Sequence, residues 1–290
     1  VLAAGSGKRM NAGVKKQYME IAGRPVLYYS LKAFEESFID EIVLVVSQDE
    51  IEQVQESYVN QYGFQKISRI VAGGKERYHS VACGLQAVRQ DCDFVFIHDS
   101  ARPMLTQEIL QRAYQAVQEE EACVVGVPSK DTVKIADEQG YVSVTPNRSL
   151  VWNVQTPQVF SYPLVYSAYE ELLQKEQELL AAGVQITDDA MVVEYLARHK
   201  VKLVEGSYEN IKIRQHRAVS AASAAGAEPR GLWAAGDGRN IRHRDDAGRH
   251  AVSASKRTSD GRDRRQPDAP RAAAVVHGLY PAHRALRRHD

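Results

Sequence analysis

Two glycines, a lysine and an arginine fall within nine residues, LAAGSGKRM at Leu2–Met10, and a lysine pair follows at Lys15–Lys16 in KKQY. Glycines let a backbone turn tightly enough to aim successive N–H groups at one point, and fixed cations beside such a turn compensate a polyanion. The chemistry this pattern suits is the holding of a phosphate ester. Two familiar phosphate loops do not fit it. A P-loop needs Gly-x4-Gly-Lys-Ser/Thr, whereas Gly7-Lys8 is followed by Arg9 and the position five before Gly7 is Leu2. A dinucleotide fingerprint needs Gly-x-Gly-x-x-Gly, and after Gly5 and Gly7 the third place is Met10. What remains is a strand running into a glycine-rich turn that faces a triphosphate, with Arg9 and Lys16 as cations downstream.

Further along, Gly73-Gly74 ends a strand-like run and precedes a helix that includes Ser80; glycine there lets the backbone approach a flat base closely. Asp99 ends FVFIHD, at the carboxyl edge of a parallel sheet, where ligands collect. It can help hold Mg²⁺, which takes one or two carboxylates with substrate phosphates, or contact nucleotide and substrate directly. His98 reads as a packed histidine and Arg102 as a residue ordering its own loop. Thr187 and Asp188 in ITDDA read as a helix N-cap.

These residues need elements to place them. EIVLVVS (41–47), DFVFIHD (93–99) and ACVVGVP (122–128) are β-branched apolar runs of strand length, as expected for strands buried on both faces. Between them, Val26–Ser37, Glu50–Tyr62, Tyr78–Gln90 and Thr106–Glu121 carry helical apolar spacing. The alternation predicts an α/β fold, Rossmann-like, with a mostly parallel sheet flanked by helices. The rhythm breaks at 129–154, where two extended, partly polar runs meet at a turn over Glu138–Gly140. This predicts a projecting β-hairpin arm. Helices over about 162–182 and 188–198 and the run KVKLVEGS (200–207) return to the core.

Composition splits the chain. Up to Ile213 there are 21 Lys+Arg against 29 Asp+Glu; from Arg214 onward there are 16 against 8. The 77 residues of that second part hold only eight Val, Leu, Ile or Phe in total, against 15 arginines and six histidines. So little apolar content does not offset the conformational entropy of folding, so residues 214–290 are expected to be disordered or the product of a shifted reading frame. A basic tail that binds nucleic acid is the competing reading from a different functional class. Cys83, Cys92 and Cys123 are odd in number and widely spaced, which predicts free thiols in a reducing compartment and no disulfide or metal framework. No apolar run reaches the ~18 residues of a membrane span, and nothing resembles a signal peptide.

The blocks AAGSGKRM, KKQY, GRPVLYYSL, VAGGKERYHSV, HDSARP, KDTVK, VQTPQVF, ITDDA and VEGSYENIKI, in that order, resemble the 2-C-methyl-D-erythritol 4-phosphate cytidylyltransferases of the non-mevalonate isoprenoid pathway. The resemblance covers about residues 1–213. It implies a cytoplasmic nucleotidyltransferase, with the glycosyltransferase-A type of Rossmann-like sheet, that uses CTP and an alditol phosphate with Mg²⁺ or another divalent cation. It places the nucleotide against Ala3, Ala4, Gly5, Gly7, Gly74, Ser80 and Asp99, with Asp99 the candidate metal ligand. Arg9 and Lys16 would grip the triphosphate, and Lys15 would be a solvated neighbour. The acceptor phosphate would meet Arg148 and Lys212, with Thr132 and Thr156 as hydroxyl donors. Thr132 and Arg148 lie on the arm, which in relatives reaches over the neighbouring subunit, so the resemblance implies a homodimer with shared sites. No membrane partner is implied. Lys75 stands where some relatives carry an acid and is given no ligand contact. Two departures carry expectations: the first strand is represented by its last residues only, which weakens the sheet beneath the nucleotide loop, and RQHRAV follows NIKI in place of the family's closing helix, which leaves Lys212 unbraced. A ribitol-5-phosphate cytidylyltransferase shares the HDS-x-RP block, while VWNVQTPQ and ITDDA favour the erythritol enzyme.

Overall fold

Ile42, Leu44 and Val46 are fully buried in one hydrophobic layer, and Val43 and Val45, between them in sequence, are fully buried in another. A strand apolar at every position has to be covered on both faces, and the rest of the fold supplies the covers. In this computed structural model Ala3, residues 15–213 and residues 270–277 are described, the last four for their backbone only. In chain order the elements are β1 (Glu20–Ile21), β2 (Arg24–Pro25), α1 (Val26–Glu35), β3 (Glu41–Val46), α2 (Ile51–Val54), β4 (Ile67–Ala72), α3 (Arg77–Ala87), β5 (Phe94–Asp99), α4 (Gln107–Glu120), β6 (Ala122–Pro128), β7 (Ile135–Ala136), β8 (Val142–Val144), β9 (Trp152–Ser161), α5 (Tyr162–Ala181), α6 (Asp189–Tyr195), β10 (Lys202–Glu205) and β11 (Ala272–His277).

Seven strands form the main sheet in the order β10-β6-β9-β5-β11-β3-β4. All its pairings are parallel except those of β9, which runs antiparallel to both β5 and β6. Leu27, Leu31 and Phe34 of α1, Val54 of α2 and Ile109, Leu110, Ala113 and Val117 of α4 cover one face. Val81 and Leu85 of α3, Val165, Tyr169 and Leu172 of α5 and Val192 and Val193 of α6 cover the other. The expected α/β architecture with helices on both sides is what the chain adopts. No helix among the described residues is long and apolar enough to cross a membrane.

Local chemistry explains the helix starts. Thr106 caps α4 by accepting the Ile109 N–H, and Asp188 caps α6 by accepting the Met191 N–H at 3.0 Å. The cap predicted over Thr187–Asp188 therefore rests on Asp188. Glu76 and His79 form a reciprocal capping box on α3. The helix expected over Glu50–Tyr62 forms, with α-helical ends and π-type turns between them at Gln55–Asn60. The widened segment puts the Tyr58 ring parallel to that of Tyr18, 5.0 Å between centroids. The arm is present: β7 and β8 pair across a turn in which Asp137 Oδ1 accepts the Gln139 and Tyr141 N–H groups and Gly140 has φ +87°.

Residues 214–269 and 278–290 lie outside the described residues, so the expectation for them is neither met nor missed. At 272–277 the structure departs from it. Ala272–His277 is a strand at the centre of the sheet, between β5 and β3. Averaging composition over the whole tail hid a six-residue run, AAAVVH, of the small and β-branched kind that a doubly covered parallel strand uses.

A buried ion pair ties the layers at one end of the sheet. The Arg77 guanidinium at the start of α3 donates to both oxygens of Asp189, at 2.6 and 2.5 Å, and Tyr169 of α5 donates to Asp189 Oδ1 at 2.5 Å. Gln158 Oε1 accepts the N–H groups of Asp189 and Ala190 at 2.9 and 2.8 Å. Removing one member of such a pair strands the other charge in the core. Asp189→Ala is expected to cost about 3–5 kcal/mol in urea unfolding, whereas a joint apolar replacement, Arg77→Met with Asp189→Leu, recovers most of that loss.

Candidate active site

Asp99 closes β5 and is 3% exposed. A carboxylate so far from water needs compensating charge, and the structure provides it from a distant segment. Lys212 Nζ lies 2.6 Å from Asp99 Oδ2, and Arg102 Nε lies 3.7 Å from the same oxygen. Burial pushes the Lys212 ammonium below the usual lysine range, with Asp99 opposing that shift.

Beneath the carboxylate runs a chain of hydrogen bonds whose direction is determined by its ends. The Arg102 carbonyl can only accept, so His98 Nε2 carries the proton that it shares with that carbonyl at 3.1 Å. His98 Nδ1 is then an acceptor, and it takes the Thr156 hydroxyl proton at 3.0 Å. Thr156 Oγ1 in turn accepts the Asp99 backbone N–H at 3.1 Å. The His98 ring is fully buried, and desolvation holds its pKa down, from 6.5 to about 3. It is a neutral, tautomer-locked spacer, as the packed-histidine reading expected. Thr156 Oγ1 thus donates to His98 and accepts from the Asp99 N–H, which fixes it against the end of β5.

The segment bearing Lys212 is braced despite the expectation that it would not be. Asn210 is fully buried and donates to the Thr156 carbonyl at 3.0 Å, while Arg102 Nη1 donates to the Asn210 carbonyl at 2.7 Å. The Ile213 N–H reaches the Ala101 carbonyl at 2.8 Å, and its side chain packs with Met19, Ile21 and Val26. Among the described residues, Asn210 and Ile213 supply this bracing. Arg102 was expected to order its own loop; its guanidinium instead reaches the Asn210 and Val154 carbonyls, 108 and 52 positions away.

On the nucleotide side, Ala3 is fully buried; its N–H donates to the Val45 carbonyl, and its own carbonyl accepts Gln17 Nε2 at 2.6 Å. Lys16 is buried beside that glutamine. Lys15 is not the solvated residue expected: its ammonium sits 2.9 Å from Glu50 Oε2 and 3.1 Å from Ser47 Oγ. Ala4, Gly5, Gly7 and Arg9 lie outside the described residues. Gly74 needs to be glycine, because a Cβ there would sit 2.4 Å from the His79 Cβ. Its N–H donates to Ser80 Oγ at 3.1 Å, and that hydroxyl faces the Glu76 and Gly74 carbonyls at 3.2 and 3.4 Å. Ser80 thus closes the loop that was expected to receive the base.

Thr132 and Arg148 stand apart from this cluster. Both are exposed on the arm, and the Arg148 guanidinium donates to the Lys130 carbonyl at 3.4 Å. Among the described residues neither hydrogen-bonds to Asp99, Lys212 or Thr156.

Residues 1–225 of the 290 match the family model of 2-C-methyl-D-erythritol 4-phosphate cytidylyltransferase. The chain belongs to this family. A relative of that name from Lachnoclostridium phytofermentans is 48% identical over 213 residues, which is 73% of this chain and 88% of the relative. One from Caldanaerobacter subterraneus is 46% identical over 214 residues, covering 73% of this chain and 91% of its own length. The crystal structure of 4-diphosphocytidyl-2C-methyl-D-erythritol synthase from Anaerococcus prevotii superposes with a TM-score of 0.66 at 37% identity, over 77% of this chain and 92% of that one.

Within this cytidylyltransferase family member, two site residues escaped the sequence reading. Asn210 had only its place in ENIKI to mark it, and Arg77 only its place after a glycine pair. Nothing local distinguishes a buried asparagine or arginine from an exposed one, since the partners lie far away in the chain. Arg77 acts at a distance as well: it lowers the Lys212 ammonium and feels the Asp99 carboxylate.

The His98 geometry predicts a pH dependence. Its folded pKa lies below its unfolded value, so between pH 6.5 and about 3 the unfolded chain binds a proton that the folded one does not. Its stabilising contribution is present above pH 6.5 and lost as pH falls, by up to about 1.4 kcal/mol per unit. Thermal melts from pH 7.5 to 5 should therefore fall more steeply for the natural chain than for His98→Gln.

Proposed function

We propose that this chain transfers CMP from CTP to 2-C-methyl-D-erythritol 4-phosphate, giving 4-diphosphocytidyl-2-C-methyl-D-erythritol and pyrophosphate. The acceptor's phosphate oxygen forms a bond to the α-phosphorus of CTP as the bond from that phosphorus to the bridging oxygen breaks, and pyrophosphate leaves with that electron pair. Two anions must be brought together, so the protein's part is alignment and charge compensation. The observation that carries this reading, beside family membership, is the Lys212–Asp99 pair held at 2.6 Å at the carboxyl end of β5. An ammonium has three donors, so Lys212 can keep Asp99 and still present N–H groups to a phosphate. In this reading Arg9 and Lys16 serve the triphosphate, Lys212 and Arg148 the acceptor phosphate, and Thr132 offers its hydroxyl from the arm. Ala3, Gly74 and Ser80 shape the nucleotide side through the backbone contacts described above.

Mg²⁺ suits this donor set. Among the described residues no three His, Cys, Asp or Glu side chains come together, which fits an ion that keeps its waters and takes one or two carboxylates plus substrate phosphates. Asp99 would hold it. Bound there, the ion would neutralise charge on the triphosphate.

The homodimer also belongs to the proposal. Ile135, Tyr141, Val142, Val144, Leu150 and Val154 are 51, 74, 60, 49, 79 and 43% exposed. Such a run of apolar residues on one projecting arm marks a surface that another protein surface covers, and a second copy places Arg148 and Thr132 over its neighbour's acceptor site. The three cysteines are free, in keeping with a cytoplasmic enzyme.

The primary test is pyrophosphate release from CTP in magnesium buffer with each alditol phosphate in turn. Methylerythritol phosphate is expected to support turnover and ribitol 5-phosphate is not; the reverse result assigns the rival substrate. Lys212→Ala is expected to lower kcat/KM by about 10²–10³ with the thermal midpoint measured alongside. Arg148→Ala should raise the KM for the acceptor far more than that for CTP. Mixing equal amounts of the Arg148→Ala and Lys212→Ala chains under exchange conditions should restore about a quarter of the natural activity, because half the dimers are mixed and each regains one intact site. Additive residual activity alone would show that the arm serves its own subunit.

A further inference from the structure

β3 and β5 are not hydrogen-bonded to each other. They flank a gap one strand wide, about 10 Å across from two inter-strand spacings, and β11 fills it. Ala273–Val276 lie opposite Glu41–Leu44 of β3, and Ala272–His277 opposite Phe94–Asp99 of β5, in parallel register on both sides. With the gap empty, two apolar strands would each present a row of unpaired N–H and C=O groups at the middle of the fold.

The gap is shaped for the segment that lies in it. At its entrance Asp93 Oδ2 accepts the Arg271 N–H at 2.7 Å and Asp40 Oδ2 accepts the Ala272 N–H at 2.9 Å. Asp91 pairs with the Arg271 guanidinium, and the Asp93 and Asp40 N–H groups reach the Arg271 and Ala272 carbonyls at 3.0 and 2.9 Å. Inside, Ala272 points into the layer under α1 and α4 and Ala273 into the layer under α3, each 2% exposed. Cys92 lies against this strand, its sulfur meeting the backbone of Ala273 and the Phe94 carbonyl, and burial pushes its thiol up to about 12. At the far end Ala3 takes over: β11 pairs with β3 up to Leu44, and the Ala3 N–H pairs with the next carbonyl, that of Val45. The start of the nucleotide turn and the C-terminal segment thus lie in series in one groove.

We propose that the groove between β3 and β5 is a donor-strand site, that the chain's own residues 270–277 occupy it, and that its occupancy is a condition for binding CTP. The chemical class of ligand it takes is an extended peptide of small and β-branched residues preceded by arginine. The coupling runs through Ala3: a seated strand leaves Ala3 its place on Val45, and Ala3 holds Gln17 beside Lys16. This last part rests on the nucleotide reading above; the donor-strand part does not.

Hydrogen exchange on the full chain tests the strand directly. Amides within 272–277 are expected to exchange about 100-fold or more slowly than in the same segment as a free peptide; uptake at the free-peptide rate overturns the donor strand. Ala273→Asp places a charge in the layer under α3 and is expected to speed alkylation of Cys92 about tenfold. Cys123, on β6 with two strands intervening, should stay unreactive, and CTP affinity should fall about tenfold alongside. Cys92 opened with CTP affinity unchanged overturns the coupling. If that variant exposes both cysteines it has unfolded, and Ala273→Ser, a smaller change at the same place, is expected to show the same selective opening and a smaller loss of affinity. A natural chain that binds no CTP contradicts the proposed function, and exchange at 272–277 still decides the strand.

Discussion

A carboxylate taken out of water has to be answered by charge and hydrogen bonds, and Asp99 is where this fold meets that demand. Its oxygen is held by Lys212 from a segment more than a hundred residues later, and its N–H by Thr156 of β9. The partners are then held themselves: Thr156 by His98, His98 by the Arg102 carbonyl, Arg102 by Asn210, and Asn210 by the Thr156 carbonyl. This closed set makes the carboxyl end of β5, the middle of β9 and the 207–213 segment one rigid corner. Low local dielectric strengthens each of these bonds while making any unpaired member costly.

That corner depends on the sheet behind it. β9 is the single antiparallel strand, and its direction is what delivers Thr156 and Gln158 to opposite needs. Thr156 faces His98 and Asp99, while Gln158 takes the N-terminus of α6 and so sets Asp189 against Arg77. Two polar clusters on one strand thus link the Asp99 corner to the start of α3, beside the loop of Gly74 and Ser80. The arm leaves the sheet just before β9 and carries its exposed apolar residues away from this core, a layout that suits contact with a second copy.

Much of the fold was legible because the strongest signals are local. β3, β5 and β6 are continuous apolar runs that only a doubly covered strand explains, and α4 and α5 show their helical period. Asp99 could be picked out because it ends such a run, and Asp188 because a cap needs only its own next turn. That the Thr156 hydroxyl pairs with His98 could not be read from its motif, since the two lie 58 positions apart. Lys15 was read as solvated because Glu50 is 35 positions away. The Gln55–Asn60 turns differ from the expected helix for a related reason: the stacking of Tyr58 on Tyr18 is a tertiary contact that outweighs a weak local preference.

By itself, then, the order of residues determined the class of fold, the alternation of elements and the family to which the chain belongs, because each of these follows from periodicity or short motifs read over a few residues. Tertiary structure alone decided which charges are neighbours. It brought Lys212 to Asp99 and Arg77 to Asp189, braced the 207–213 segment through Asn210 and Ile213, and drew six residues of an arginine-rich tail into the centre of the sheet. Burial and pairing energies depend on distances in space, and no pattern along a chain encodes which of many possible partners will be close.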